Sequence, residues 1–276
     1  MTEAMYRTAV SRTRRDLSLL LAGFPMMLGL YSVSMAQSNS PTAPDETLLQ
    51  SGDLVWPKKP NAYVPYIARA EKQSAPEDEA EWNAAKQKFL ATVKEKYAYF
   101  SDQDIEAIRR LSFADFYAAY AGTAVPNEPQ VLQSGVSLYV GHVGIIQVDP
   151  DGGKWVIEAL ADKGVIKRRY GDWLSARPGE WVWLGRLKDQ PLAARRSISE
   201  EAAKYIGRPY DFWNLDLNDH TAFYCSKLAW MAIFRSLKFA VDGNENPKRI
   251  FWFSPKQLLY ASPIDRVLDH EQYITR

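Results

Sequence analysis

The chain has 276 residues, 46% of them hydrophobic, and a formal net charge of +1. That length supports one sizeable core, and the near-neutral balance excludes a nucleic-acid binder driven by phosphate neutralisation. No block of like charge suits a polyelectrolyte partner.

The first three dozen residues differ from the rest. Ser11–Ser18 is basic, Leu17–Val33 is apolar but diluted by Gly, Ser and Pro25, and Ser34-Met35-Ala36 has small residues at the spacing of a signal-peptidase cut. Thr13-Arg14-Arg15-Asp16-Leu17 resembles the twin-arginine export signal, an address read by a receptor rather than an anchor. Residues 1–36 are therefore expected to be a signal peptide that sends the protein to the periplasm or the extracellular space. An uncleaved anchor is the competing reading, but the apolar run is barely long enough to span and Pro25 interrupts it. A basic pair also precedes ordinary secretory signals. No stable membrane span is expected after signal removal.

Residues 37–50, rich in Ser, Pro and Thr, read as a flexible leader, and residues 51–276 as one domain. Ser51-Gly52-Asp53-Leu54-Val55-Trp56 reads as a turn and a short strand stopped by Pro57 and Pro60, followed by an irregular stretch to residue 73. From about 74 to 122 the signal is helical. Ser74 to Glu77 has a capping-box pattern, and Trp82, Phe89, Leu90, Val93, Tyr97 and Phe100 recur at helical spacing. Ser101–Asp104 restarts a helix carrying Ile105, Ile108 and Leu111, and Ser112–Asp115 begins another that ends near Gly122. The aromatic stripe reads as packing, and the module as an insertion that walls or lids a cleft.

Strand signals return in Val136–Val148, with a turn at Asp149–Gly153 and an antiparallel partner in Lys154–Leu160. Gly164–Tyr170 and Glu180–Leu187 continue the sheet, with a loop around Trp173 between them. Ser197–Glu200 is expected to cap a short helix that stops at Gly207. After the loop rich in Asp and Asn comes Cys225, the only cysteine, and then Leu228, Met231, Ile233 and Phe234 at the spacing of a buried helix. A polar loop (Asp242–Lys248), a short helix near Phe251–Tyr260 and a closing strand near Val267 complete the chain.

Cys225 thus falls at or beside a helix N-terminus, where unpaired N–H groups and the macrodipole favour a thiolate and can hold an oxyanion. The bland reading is a small buried hydrophobe. In an exported protein, however, one cysteine has no internal disulfide partner and carries an oxidation risk that Ala or Val would avoid. A cysteine nucleophile needs a base and a group to orient it. Of the three histidines, His142 opens a strand beside Gly141 and Gly144, whose small size permits close approach of another backbone or a substrate. Glu158 lies on the next strand, where a hairpin can bring the two onto one face. A structural strand histidine with a solvent-side Glu158 is the alternative. His220 is a rival base on a polar loop, and His270 reads as surface. Three scattered histidines and one cysteine give no metal-ligand spacing, and no Gly-rich phosphate loop is present. No cofactor is expected.

Gly207-Arg208-Pro209-Tyr210 followed by Phe223-Tyr224-Cys225-Ser226-Lys227-Leu228 resembles the cysteine block of NlpC-type cell-wall peptidases. Gly52–Trp56 resembles the strand that opens their sheet, and His142–Ile146 their histidine strand. Here the cysteine block comes last, the order of the circularly permuted YiiX/YebB-like branch, which is papain-like in fold and related to lecithin–retinol acyltransferases. Val156–Leu160, Gly164-Val165 and Tyr224-Cys225-Ser226 resemble that branch as well. The resemblance spans roughly residues 51–57 and 135–268, leaving out the signal and the insertion.

It implies an α+β fold of permuted papain-like type, an antiparallel sheet with packed helices plus the helical insertion. It further implies Cys225 as nucleophile, His142 as general base and acid, and Glu158 as the orienting member. Tyr210 would line the cleft and help hold the oxyanion, with plain packing as its other reading. Lys227 departs from the pattern, since related sequences tend to carry Gly or Glu there. As a cation in the first helical turn it opposes the macrodipole, so it either meets a substrate carboxylate or sits solvated at the surface. The expected function is an exported cysteine hydrolase that cleaves an amide bond, foremost in peptidoglycan stem peptides. A lipid or N-acyl hydrolase or acyltransferase is the alternative within the fold, which makes an acyl lipid the other expected partner. A non-catalytic module binding cell-wall peptides is the alternative outside it.

Overall fold

The computed structural model of the protein describes residues 42–58, 76–113, 115, 116 and 141–270. The expected signal, leader residues 37–41, the cap begun at Ser74, the helix end near Gly122 and the strand start at 136–140 lie outside those residues.

Leu54–Lys58 (β1), Gly144–Val148 (β2), Lys154–Leu160 (β3), Gly164–Arg169 (β4), Trp181–Leu187 (β5) and Ile264–Leu268 (β6) form one sheet in the order β4-β3-β2-β1-β5-β6. Each neighbouring pair is antiparallel. The β2–β3 hairpin turns at Asp149–Gly153, where Asp149 N donates to Gly153 O at 2.9 Å. It sets Ile145 opposite Ile157.

Both faces of the sheet are covered. Leu54, Trp56, Ile145, Ile157 and Trp183 face the larger core, while Val55, Ile146, Val156, Val182 and Leu184 pack with Leu49, Tyr170 and Trp173 on the other side. A strand buried on both faces must be apolar at successive positions, which is why β1 begins Leu-Val-Trp without alternation and is buried throughout.

The helices are Pro76–Lys96 (α1), Asp102–Arg110 (α2), Tyr170–Ser175 (α3), Leu192–Ala203 (α4), Cys225–Leu237 (α5) and Pro255–Leu259 (α6). The Ser101 cap is present in full, with the Ser101 side chain accepting from Asp104 N and the Asp104 side chain accepting from Ser101 N. Trp82 and Phe89 of α1 pack on Trp213 with ring centroids 5.5 and 5.1 Å apart, so the aromatic stripe fastens the insertion to the loop that precedes α5.

Four sequence expectations are corrected. Trp173 lies on α3 rather than in a loop. The helix expected to start at Ser197 begins at Leu192, after an extended Pro191. Its serines bond backward along the helix instead, Ser197 Oγ to Ala194 O at 2.6 Å and Ser199 Oγ to Arg196 O at 2.9 Å, a use that competes with capping. The leader is ordered over 42–50: Val182 N donates to Thr42 O at 2.7 Å, Tyr170 Oη donates to Pro44 O at 2.9 Å, and Leu49 is buried. Finally, β2 starts at Gly144, so His142 precedes the strand, and the absent Gly144 side chain makes room for Val156 Cγ1, which would lie 2.5 Å from a Cβ.

Asp53 ties the sheet to α4. Its fully buried carboxylate accepts from Gln50 N at 2.8 Å, from Arg186 Nε and Nη2 at 2.8 and 2.7 Å, and from Arg195 Nη1 at 3.2 Å. Gly52 makes this approach possible. With φ +83°, it lies so close to α4 that a Cβ would sit 2.0 Å from Arg195 O. Removing a buried partner strands the charges facing it. Asp53→Ala is expected to lower stability by about 3 kcal/mol, read as a lower urea midpoint with an unchanged slope.

Candidate active site

Cys225 is the first residue of α5, after an extended Tyr224 that supplies no side-chain cap. Every residue from Cys225 to Ile233 is buried, and from Leu228 to Ile233 the run is apolar without a break. Its first turn is pinned to the segment leading into α6. Ser226 Oγ donates to Phe253 O at 2.6 Å, and Phe253 N donates to Tyr224 Oη at 3.2 Å. The uncapped N–H groups of that turn therefore sit at a fixed place beside the sulfur.

The His142 ring, 21% exposed, points Nε2 at Glu158 Oε2 across 2.7 Å. Register explains the meeting. Ile145 faces Ile157, so Glu158 faces Gly144 and lies diagonal to His142. Cys225 acts on the same ring, favouring its charged form, and with Nε2 occupied, Nδ1 is the nitrogen left for sulfur. The structure thus brings together the three residues that the sequence reading joined.

Glu158 is fully buried and has more partners than the sequence suggested. Arg168 bonds Oε1 through Nε at 3.0 Å and through Nη2; Trp173 Nε1 and Arg177 Nη2 reach Oε2 at 2.9 and 3.1 Å. The Arg177 guanidinium also stacks 4.3 Å over the Trp173 ring. Of these, Arg168 was within reach of sequence reasoning. It pairs with Val156, so strand alternation places it on the face of Glu158. Trp173 and Arg177 arrive through α3, which carried no sequence signal.

The charges follow from this packing. Burial would hold the His142 pKa down, but hydrogen bonds and charge from Cys225 and Glu158 outweigh it and raise the value to about 9. Burial would likewise raise Glu158, yet His142, Arg177 and Trp173 push its pKa down to about 2. The pair is imidazolium and carboxylate at neutral pH. Its contribution to stability is lost as pH rises through about 9, where the ring deprotonates, and as pH falls through about 2, where the carboxyl protonates.

Tyr210 is half-buried and forms a parallel bridge with Phe223, two residues before the cysteine. Burial and then the charge of Cys225 hold its hydroxyl above the ordinary range. It forms part of the wall of a cavity of about 450 Å³ whose other lining residues include Phe89 and Trp213. Asn214, unremarked in sequence, organises the same loop: it is fully buried, its amide donates to Asp219 Oδ2 and Ala222 O at 2.8 and 3.3 Å, and it accepts from Tyr97 Oη at 3.4 Å.

Lys227 overturns both of its sequence readings. It is neither solvated nor placed to meet a substrate, because it is fully buried, with Nζ 3.5 Å from Asn214 O and 5.6 Å from the Phe223 ring centre. The Asp- and Asn-bearing loop folds over it. Burial lowers its pKa to about 7, against the opposing charges of Asp219, Asp216 and Asp211. His220 is exposed on that loop, its ring 6.5 Å from that of Tyr205, and it takes no part in the contact at Cys225. His270 is not a plain surface residue. It stacks on Trp181 at 5.3 Å, and its Nε2 lies 3.2 Å from Val182 O. Among the described residues no group of three or more His, Cys, Asp or Glu is arranged to hold a metal ion, and no helix is long and apolar enough to cross a membrane.

The fold and this site meet the comparisons with known proteins at the same place. Residues 130–257 match the family model described as a permuted papain-like amidase enzyme, YaeF/YiiX, C92 family, a stretch that contains Cys225, His142 and Glu158. The protein is a cysteine hydrolase of the permuted papain-like type. Within that class, residues 130–257 are similar to the YaeF/YiiX amidases. A solved structure titled metalloprotein yiiX from Escherichia coli O157:H7 is similar at 15% identity and a TM-score of 0.44, covering 79% of this chain and 96% of that one. No curated protein matches the chain.

A lysine whose folded pKa is depressed destabilises most where the unfolded chain is protonated and the folded site resists the proton. That penalty is full below about pH 7 and vanishes above the unfolded value. Lys227→Met, close in volume and uncharged, is therefore expected to raise the thermal midpoint more at pH 6 than at pH 9.5, as calorimetry at the two pH values would measure.

Proposed function

We propose that Cys225, His142 and Glu158 act as a catalytic triad that cleaves an amide bond in peptidoglycan stem peptides, in a protein exported from the cytoplasm. The observation that carries the reading is the His142 imidazole held 2.7 Å from the buried Glu158 carboxylate, with Cys225 acting on the same ring from the uncapped start of a buried helix. The imidazole can take and return the proton that acyl transfer on sulfur requires, and the helix N-terminus offers backbone N–H groups to an oxyanion.

The thiolate attacks the amide carbonyl carbon, and the developing oxyanion is met by the Cys225 N–H and the Tyr210 hydroxyl. The C–N bond breaks as the imidazolium passes its proton to the leaving amine, leaving an acyl thioester on sulfur. The neutral ring then takes a proton from water, the hydroxide adds to the thioester carbonyl, and the thiolate departs with release of the acid. Glu158 stays ionised throughout, because two arginines and Trp173 hold it, and its role is to orient the ring and stabilise the imidazolium. The substrate assignment rests on the export signal and on the resemblance to cell-wall peptidases. An acyl lipid or N-acyl substrate would use the same steps with a different acyl group.

Muropeptides and phospholipids, each incubated with the wild type and with Cys225→Ala and read by mass spectrometry, test the substrate. The expected result is muropeptide fragments from the wild type only, with the variant slower on the order of 10⁴-fold or more. Lipid products instead would replace the peptide assignment. Slow iodoacetamide labelling of the folded protein at pH 6, with no products from either substrate, would leave a binding module.

The pH profile tests the proton inventory. Activity is expected to decline above about pH 9 as His142 loses the proton it gives the leaving group. Glu158→Gln removes a carboxylate that raises the His142 pKa, so its alkaline limb is expected at lower pH, together with a reduced kcat. An unmoved limb would show that the carboxylate does not act through the ring.

A further inference from the structure

The cavity beside Tyr210 lies between the insertion and the loop that leads into the nucleophile helix, and its two walls differ in chemistry. One wall is a single face of α1 and the residue that follows it: Ala85, Lys88, Phe89, Thr92 and Lys96, then Tyr97. Lys88, Thr92 and Lys96 stand four residues apart, so they stack as a polar ladder along that face. The opposite wall is Pro209, Tyr210, Asp211, Trp213 and Ala222. Phe89, Tyr97 and Trp213 form an aromatic floor, with Phe89 and Trp213 centroids 5.1 Å apart. Tyr210 and Ala222 tie the cavity to the start of α5, since Tyr210 bridges Phe223, Phe223 N donates to Pro209 O at 3.0 Å, and Ala222 and Phe223 lead directly into Tyr224 and Cys225. At about 450 Å³ the cavity falls within the usual range for small-ligand sites, ~300–1,000 Å³.

The ladder's charges are not equivalent. Lys96 Nζ lies 3.7 Å from Asp211 Oδ2 across the cavity, so its charge is answered by the far wall. The Lys88 ammonium makes no ion pair among the described residues, and that side chain is exposed. Thr92 Oγ1 lies one turn away, 3.4 Å from the Lys88 and Phe89 carbonyls. An aromatic floor ending in an unanswered cation suits a flat or apolar segment that terminates in a carboxylate.

We infer that this cavity is a substrate subsite in which Lys88 anchors a carboxylate while the part of the substrate next to the scissile bond packs over Phe89, Tyr97 and Trp213. Lys88 is a specificity residue contributed by the insertion, which lies outside the stretch matched by the amidase family model. The inference rests on the reading of Cys225 as nucleophile. It deepens that reading by assigning the enzyme to substrates that carry a free carboxylate beyond the scissile amide, as an unamidated peptide does.

A pair of thiol reagents separates the two ideas without requiring the natural substrate. 4-(Bromoacetamido)benzoate and 4-(bromoacetamido)benzamide share their reactive carbon and ring and differ only in the carboxylate. Alkylation of Cys225 is followed by intact-protein mass spectrometry, with each rate divided by that of free glutathione. The wild type is expected to favour the benzoate by about fivefold at low salt, a preference that fades as ionic strength rises because the contact is partly exposed. Lys88→Gln is expected to abolish the preference and Lys88→Glu to invert it, with iodoacetamide labelling unchanged in both. Equal rates for the two reagents, or a preference that survives Lys88→Glu, would overturn the subsite while leaving the nucleophile intact. Failure of every reagent, iodoacetamide included, to label the wild type would overturn the reading of Cys225 on which the inference depends.

Discussion

The Glu158 carboxylate is the point on which the site depends. It lies with no solvent exposure on β3 and gathers His142 from before β2, Arg168 from β4, and Trp173 and Arg177 from α3 and its end. An ionised carboxylate in that position is tolerable only because each oxygen is fully answered. The same interactions that make it tolerable set the plane of the imidazole. Positioning the ring and burying the charge are one arrangement, and the segments that meet there are held together by it.

A second tie fixes the sulfur. The buried α5 carries Cys225 at its start, and the Phe253 backbone holds the neighbouring Tyr224 and Ser226 side chains. The insertion packs beside these two parts. Asn214 and Trp213 connect the loop before α5 to Tyr97, Phe89 and Trp82 of the insertion. Lys227 lies beneath that loop with three aspartates near enough to influence its charge. The insertion is thus packed directly on the loop that leads into Cys225.

Much of this was legible in the sequence, for identifiable reasons. The run of apolar residues after Cys225 announced a buried helix, and the turn at Asp149–Gly153 announced the hairpin that pairs His142 with Glu158. Both signals are local, with periods of 3.6 and 2 residues. What stayed hidden depends on distant parts of the chain. Lys227 reads as a surface cation until the Asp- and Asn-bearing loop is seen to fold over it. Trp173 reads as loop because six residues of α3 are too few to show a period. The leader segment 42–50 has the composition of a tail, yet Val182, Tyr170 and the second core hold it in place. Serines 197 and 199 look like caps, but they bond backward along a helix that has already begun.

The permuted order has a consequence for biogenesis. Five of the six strands, with Glu158 and Arg168, precede Cys225 in the chain, whereas Phe253 and β6, which hold the first turn of α5 and close the sheet, follow it. A ribosome therefore delivers the thiol late and its last supports later still. Until the final residues emerge, the first turn of α5 lacks the contacts that fix it, so Cys225 is the last of the three residues to be held in place.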